Sequence, residues 1–473
     1  SHDSPGGWKM GGLDPAEITL PSLLPGAGYR TITAGKAHFG ASPYARDPRN
    51  SGFDVNIAGS EIGHPGSYTG NYGQGGSRPV PHLDAYHNTG TFLTEALTLE
   101  INKAIEKAVD DGVPFYAYMT HYAVHSPFTD DPRFTANYPS LSGNARNYAT
   151  MLEGMDKSLG DMLTQLNALG VDEDTLVIFM SDNGGDGPLG NVNKSNAPLR
   201  HKKGSKYEGG VRVPMIAAWA GPNPSNQFQA GLNIPQGSRE DDIVACFDLY
   251  PTILGAAGVP FAHDVDGFDL RPYLRQDPGS HRPQELLIHF PHDHRSDYFT
   301  IFREEDWKLI YNYGPDAYEL YNLATDLGES TNLAATEPDR VMAMALKMAR
   351  QLDAAGAQWP TIVASGSDDA FAMPVLPAVD LDGDGIPDNT EDPNRNGLVD
   401  PGETDPGSDN TDRDPTPDGA EIKTGTDPLD PSEWFRFSLA LDGAGHVQLT
   451  WPSAPGALYR VEHTATAGSW DTS

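Results

Sequence analysis

A chain of 473 residues with 38% hydrophobic side chains is too long for one ordinary domain and can bury a sizeable core in each of two or three. The formal charge of −34 argues against a nucleic-acid partner, because phosphate binding needs a basic surface. The single cysteine, Cys246, excludes an internal disulfide framework and a cysteine-built zinc site, and no apolar run reaches the ~18 residues of a membrane span. Flanked by Ile243, Val244, Phe247 and Leu249, Cys246 is expected in the core. The chain opens on Ser1-His2-Asp3-Ser4, without Met or a signal peptide, and is read as incomplete or processed there.

In chain order, the first informative phrase is a short helix around Leu20 closed by glycine, then a strand over 31–34 that runs into GKAHFG (35–40). Lys36 and His38, two apart at a strand end, project to one side in extended geometry and make an anion-binding, proton-handling pair. Residues 41–90, rich in Gly, Pro, Asn and His, read as a long functional loop. A helix over 92–109 turns Leu93, Leu97, Ala104 and Ala108 inward, and PFYAYMT (114–120) reads as a buried strand ending in His121 and His125. Over 147–169, Tyr148, Leu152, Met155, Leu159, Met162 and Leu166 form one apolar stripe, closed by Gly170. Next, LVIFM (176–180) reads as a strand buried on both faces in a parallel sheet, delivering Asp182 and Asn183 at its carboxyl end. Both are hard oxygen ligands suited to calcium. A lysine cluster (Lys202, Lys203, Lys206) and a strand within 211–219 follow.

Taken singly, each pair has an ordinary alternative: Asp-Asn-Gly as a turn, Lys36 and His38 as a solvated lysine beside a capping histidine. Together, three strand ends carrying Lys36, His38, His125, Asp182 and Asn183 make a cationic, metal-capable pocket suited to an anionic ester.

The ordered phrases LPSLLPGAGYRTITAGKAHFG, PFYAYMTHYAVHSPF, DEDTLVIFMSDNGG, PLRHKKGSKYEGGVRVP, DLYPTILGAAGVP, DGFDLRPYL, FREEDWKLI and YELYNLATDLGESTNLA, spread over roughly 15–355, resemble the sulfatase family. The resemblance implies an α/β fold of the alkaline-phosphatase-like kind, with a mixed or parallel central sheet flanked by helices and a small C-terminal antiparallel subdomain. It also implies roles. Asp182 and Asn183 match the pair that ligates an active-site calcium, Lys36 and His38 match residues touching nucleophile and sulfate, His125 the proton donor to the leaving alcohol, and Lys203 a lysine on sulfate oxygens. His292 matches residues near the substrate, with a surface histidine cluster as the alternative. The family's nucleophile, a formylglycine made in a C/S-x-P/A-x-R motif, has no match here, nor do two further metal-binding aspartates. Both are expected upstream of Ser1, and the 473 residues alone are expected to be inactive and poorly metallated.

Residues 357–379 read as a linker after a catalytic domain over 1–356. From Asp380 to Glu433, 17 carboxylates face three basic residues, which points to bound cations. Asp380, Asp382, Asp384, Asp388 and Glu391 fit the calcium-loop spacing, as do Asp392, Asn394, Asn396, Asp400 and Glu403. Asn410, Asp412, Asp414 and Glu421 form a weaker third copy with Pro415 in place of the glycine. The stretch 380–432 resembles thrombospondin type-3-like calcium repeats, an irregular module serving as a calcium-stiffened spacer. Residues 433–473 alternate apolar with polar and read as the start of a β-sandwich.

The expected protein is a secreted, periplasmic or cell-surface sulfatase acting on sulfated small molecules or polysaccharide. The rivals are a phosphatase, phosphodiesterase or phosphonate hydrolase of the same superfamily, or a non-catalytic calcium-dependent binding protein.

Overall fold

The computed structural model describes residues 12–188, 196–279, 282–291, 298–357, 361–364, 367–370, 380–394, 397–441 and 447–451. Its contacts divide into two compact units, Ser1–Leu286 with Ala324–Glu329, and Leu287–Leu323 with Ser330–Ser473.

In the first unit, β1 (Arg30–Gly35) lies between β2 (Val55–Ile57) and β3 (Phe115–Thr120), all parallel, with Ile32 opposite both Val55 and Ala117. Hydrogen-bonded on both edges, β1 is buried from Thr31 onward, and its two threonines are fully enclosed. The Thr31 hydroxyl donates to the Gly52 carbonyl, so burial leaves it satisfied. The Leu93–Asp110 helix covers this sheet with Leu93, Leu97, Ile101, Ile105 and Ala108, and Ala104 packs at the margin.

The long helix, Gly143–Ala168, departs from its expected stripe. Met151, Gly154, Ser158 and Leu166 form the buried line, whereas Leu152 is exposed and Tyr148, Met155 and Leu159 are half-buried. The small residues Gly154 and Ser158 admit a neighbour that a row of larger side chains would hold off, and the Ser158 and Thr98 hydroxyls meet at 2.5 Å between the helices.

The strand LVIFM also differs from expectation. It is β4 (Leu176–Met180), and it pairs antiparallel with β5 (Met215–Trp219), Leu176 facing Trp219. Among the described residues β4 has a hydrogen-bonded neighbour on one edge only, as does β3. Every β4 residue is therefore half-buried, and Ile216 on β5 is 62% exposed. Cys246 is exposed too. It opens a one-turn helix, Cys246–Asp248, whose buried member is Asp248, capping Ala245 N and Phe268 N and pairing with Arg282 at 3.1 Å.

The second unit holds a four-stranded sheet in the order β6 (Glu285–Phe290), β7 (Phe299–Glu304), β8 (Trp307–Asn312), β9 (Ala317–Asn322), the last three antiparallel. The Pro338–Ala354 helix packs Val341, Met342, Ala345, Met348 and Leu352 against Phe302, Leu309 and Leu320. The acidic segment belongs to the same unit: Leu381 packs on this core, and Arg350 reaches Asp405 at 3.2 Å and also bonds the Gly397 carbonyl. Two antiparallel hairpins follow the sequence landmarks. Thr361–Ala364 with Ser367–Ala370 lies inside the expected linker, and Ser438–Leu441 with Val447–Thr450 opens the expected β domain.

Candidate active site

Three strand ends of the first unit meet. At the end of β1, Gly35 adopts φ +103°, and a Cβ there would lie 1.8 Å from the Thr120 carbonyl oxygen, so only glycine lets β1 and β3 finish side by side. Lys36 N donates to that same oxygen at 2.7 Å. His38 is not extended as its spacing implied. It sits in the left-handed region (φ +56°), its N–H donates to the Ser60 carbonyl, and its ring lies over Gly63, where a Cβ would come within 2.9 Å. Past β3, the segment bearing His125 is pinned by Tyr68, a fully buried residue whose hydroxyl lies 2.6 Å and 2.8 Å from the Tyr122 and His125 carbonyl oxygens.

Past β4, Gly184 N donates to the Gly210 carbonyl, and a Cβ on Gly184 would lie 1.9 Å from Gly209 O. Asn196 grips Gly185 through both its amide N–H and its carbonyl. These contacts bring Asp182 and Asn183 to Lys36, whose Nζ is 3.5 Å from Asp182 Oδ2. Lys203 joins from the 200–208 loop, its N–H donating to Gly185 O at 3.4 Å. That loop is fixed by the buried Glu329, which lies in one of the quoted phrases but was given no role there: its carboxylate accepts from Glu208 N at 2.7 Å and its carbonyl accepts from Arg200 at 2.7 Å.

The electrostatics report the convergence. Partial burial first, then the charges of Lys36 and Lys203 and the rings of His125 and His64, hold the His38 imidazole below its ordinary pKa. His125 is depressed chiefly by burial, opposed by a hydrogen bond to the Ser126 carbonyl, and lowered further by Lys203, His64 and Lys36. His64, which the motifs did not single out, stacks on His125 with ring centroids 5.0 Å apart, and Arg78 contacts its far nitrogen. Tyr118 on β3 is raised by burial, then by Asp182 and Cys246 nearby. Next to Asn183, a cavity of about 430 Å³ runs along Leu141 and, on the long helix, Tyr148 and Leu152 to Arg212.

So Lys36, His38, His125, Lys203 and Asp182 share one neighbourhood, with Asn183 adjacent in the chain. Lysines and neutral imidazoles fit a tetrahedral oxyanion, and a carboxylate with an amide offers oxygen ligands to a hard cation. His292 lies outside the described residues. Nearby in sequence, His289 is engaged with Thr300 and Tyr313 inside the second unit.

The acidic loops sort differently from their spacing. Three carboxylate groups have one oxygen per residue within 4.8 Å of one another: Asp380, Asp382 and Asp384; Asp384, Glu391 and Asp418; and Asp412, Asp414 and Glu421. The third copy, weakest in sequence, repeats the first in structure. Asp384 N and Asp414 N donate to the Asp382 and Asp412 carboxylates in the same turn, and Leu381 N and Thr411 N both donate to the buried Asp388 and Asp418. Pro415 replaces the glycine without changing that pattern. In the second copy Asp392 accepts from Gly397 N, while the Asn394 amide donates to Asp400 and Glu403. Among the described residues no group of three carboxylates forms there, and Asn396 lies outside them.

A family profile described as Sulfatase matches residues 3–259, and one described as the C-terminal part of N-sulphoglucosamine sulphohydrolase matches 201–358. A protein of Formosa agariphila named Sulfatase is 34% identical over 295 residues, 56% of this chain and 50% of that protein. The N-acetylgalactosamine-6-sulfatase of Mus musculus is 30% identical over 293 residues, 58% of this chain and 52% of that protein. The chain spans about half the length of these curated relatives. The crystal structure of the PsFucS1 sulfatase from Pseudoalteromonas sp. superposes with a TM-score of 0.56 at 24% identity, over 74% of this chain and 75% of that one, and shares the fold. On the profile match over more than half its residues, this chain belongs to the sulfatase family.

Proposed function

We propose that the protein is a sulfuric ester hydrolase whose sulfate group lies among Lys36, His38, His125 and Lys203. The observation behind this reading is the mutual field of those side chains: from separate stretches of the sequence, Lys36 and Lys203 each depress both His38 and His125. As an ester S–O bond breaks, negative charge gathers on the sulfate oxygens and on the departing alkoxide. The two lysines offset the first, and His125, whose pKa rises when the sulfate anion sits beside it, gives a proton to the second. A calcium ion held by Asp182 and Asn183 would polarise a sulfate oxygen. The fit is partial: these are two oxygen donors, one of them 67% exposed, and calcium takes about six to eight. The formylglycine of the family does not fit the residues present, since no C/S-x-P/A-x-R stretch occurs and Cys246 lies in another context. No step is assigned to it, and the 473 residues alone are expected to bind sulfate esters without turning them over.

The relative named for N-acetylgalactosamine-6-sulfate supports sulfated carbohydrate as the substrate class. We read 380–432 as calcium-binding repeats of the thrombospondin type-3-like kind. Sites of that sort fill at the millimolar calcium found outside cells, which favours a secreted, periplasmic or surface protein. Among the described residues no helix is long and apolar enough to cross a membrane.

The test is hydrolysis of p-nitrophenyl sulfate beside p-nitrophenyl phosphate by the product of the complete reading frame. Sulfate should be preferred, and Lys203→Ala and His125→Ala should each lower kcat/KM by roughly 10²–10³-fold. Equal or faster phosphate hydrolysis, or an unaffected Lys203→Ala variant, overturns the reading.

A further inference from the structure

We infer that a hard divalent cation, calcium by ligand type and geometry, is held between the first and third acidic loops by Asp384, Glu391 and Asp418, clasping the two loops together. This rests on the reading of 380–432 as a calcium module and goes beyond it, because a repeat loop read by its spacing draws its ligands from itself.

The two loops touch through backbone. Gly419 N donates to Asp384 Oδ2 at 2.7 Å, and a Cβ on Gly419 would lie 2.0 Å from the Asp384 carbonyl oxygen. This contact carries Asp418 to Asp384 and Glu391, one oxygen of each within 4.8 Å of the others. Glu391 is 1% exposed, and its Oε1 accepts from the Thr404 hydroxyl, but its Oε2 accepts no hydrogen bond. Asp418 is fully enclosed, and among the described residues no Lys, Arg or His forms an ion pair with any of the three. A buried carboxylate with an idle oxygen and no counter-charge carries a large desolvation cost, which a divalent cation at that oxygen removes.

Asp384 also belongs to the first loop's own group with Asp380 and Asp382. One residue therefore serves two groups, and filling the loop site orients a ligand of the clasp. Calcium should bind the two with positive cooperativity.

The experiment uses the whole chain, stripped with chelator and titrated with calcium chloride in a calorimeter, beside Asp418→Asn and, as a comparator inside the third loop, Asp412→Asn. Asp418→Asn should lose one equivalent or weaken it at least tenfold and should shed the cooperativity, whereas Asp412→Asn should leave the first-loop equivalents unchanged. A folding defect is separable by thermal melts. Without calcium, Asp418→Asn should melt no lower than the parent, because a buried charge has been removed; with calcium it should melt lower. Unchanged calcium stoichiometry and affinity in Asp418→Asn overturns the clasp while leaving loop-held calcium standing. No calcium binding by the parent up to millimolar concentration overturns both.

Discussion

Lys203 is the residue whose influence is most directly readable, because its charge acts on two histidines from another part of the chain. It lowers both His38 and His125, so Lys203→Ala should raise both pKa values toward 6.5 and leave more of each protonated at a given pH below that value. Proton resonances of the imidazoles followed against pH check this, and unmoved values would place the Lys203 amine away from the site. GKAH, VHSP and KGSK were legible because strand ends concentrate chemistry and because the family phrases run in order. Tyr68, His64 and Glu329 were not. Each acts across a long sequence separation on a backbone carbonyl, a ring face or a loop, and nothing local to a Tyr in a Gly-rich loop or to a Glu in DLGES marks that duty.

At the scale of elements, close backbone approach fixes the site more than side-chain packing does. Gly184→Ala would drive a methyl onto Gly209 O, so it should cost about 1–3 kcal/mol in denaturant unfolding and displace Asp182 from Lys36. A variant with parental stability would show that β4 and the 208–211 turn are less closely apposed. The helix over 93–110 was readable from its periodicity, and the small antiparallel sheet from the family resemblance. The buried face of the Gly143–Ala168 helix was not, because the contact is made by Gly154 and Ser158, which an apolar count passes over. The burial of LVIFM was misread for a related reason: an apolar run reports affinity for a core, whereas full burial also needs a paired strand on either edge, and among the described residues there is one.

For the molecule as a whole, two units carry two kinds of charge problem. The second concentrates buried carboxylates and should depend on cations: saturating calcium at a hundredfold excess over Kd should stabilise it by about 2.7 kcal/mol per independent site. A melting temperature indifferent to calcium and chelator would contradict that. The first brings lysines and imidazoles near one another, and on this the functional reading turns. Inorganic sulfate titrated into the chain, with the His38 and His125 resonances followed together, tests it most directly. Both should shift along one saturation curve, with both pKa values rising as the anion binds and at least tenfold weaker binding in Lys203→Ala. Separate curves for the two histidines, or no shift in either, would mean that Lys36, His38, His125 and Lys203 do not share a sulfate site.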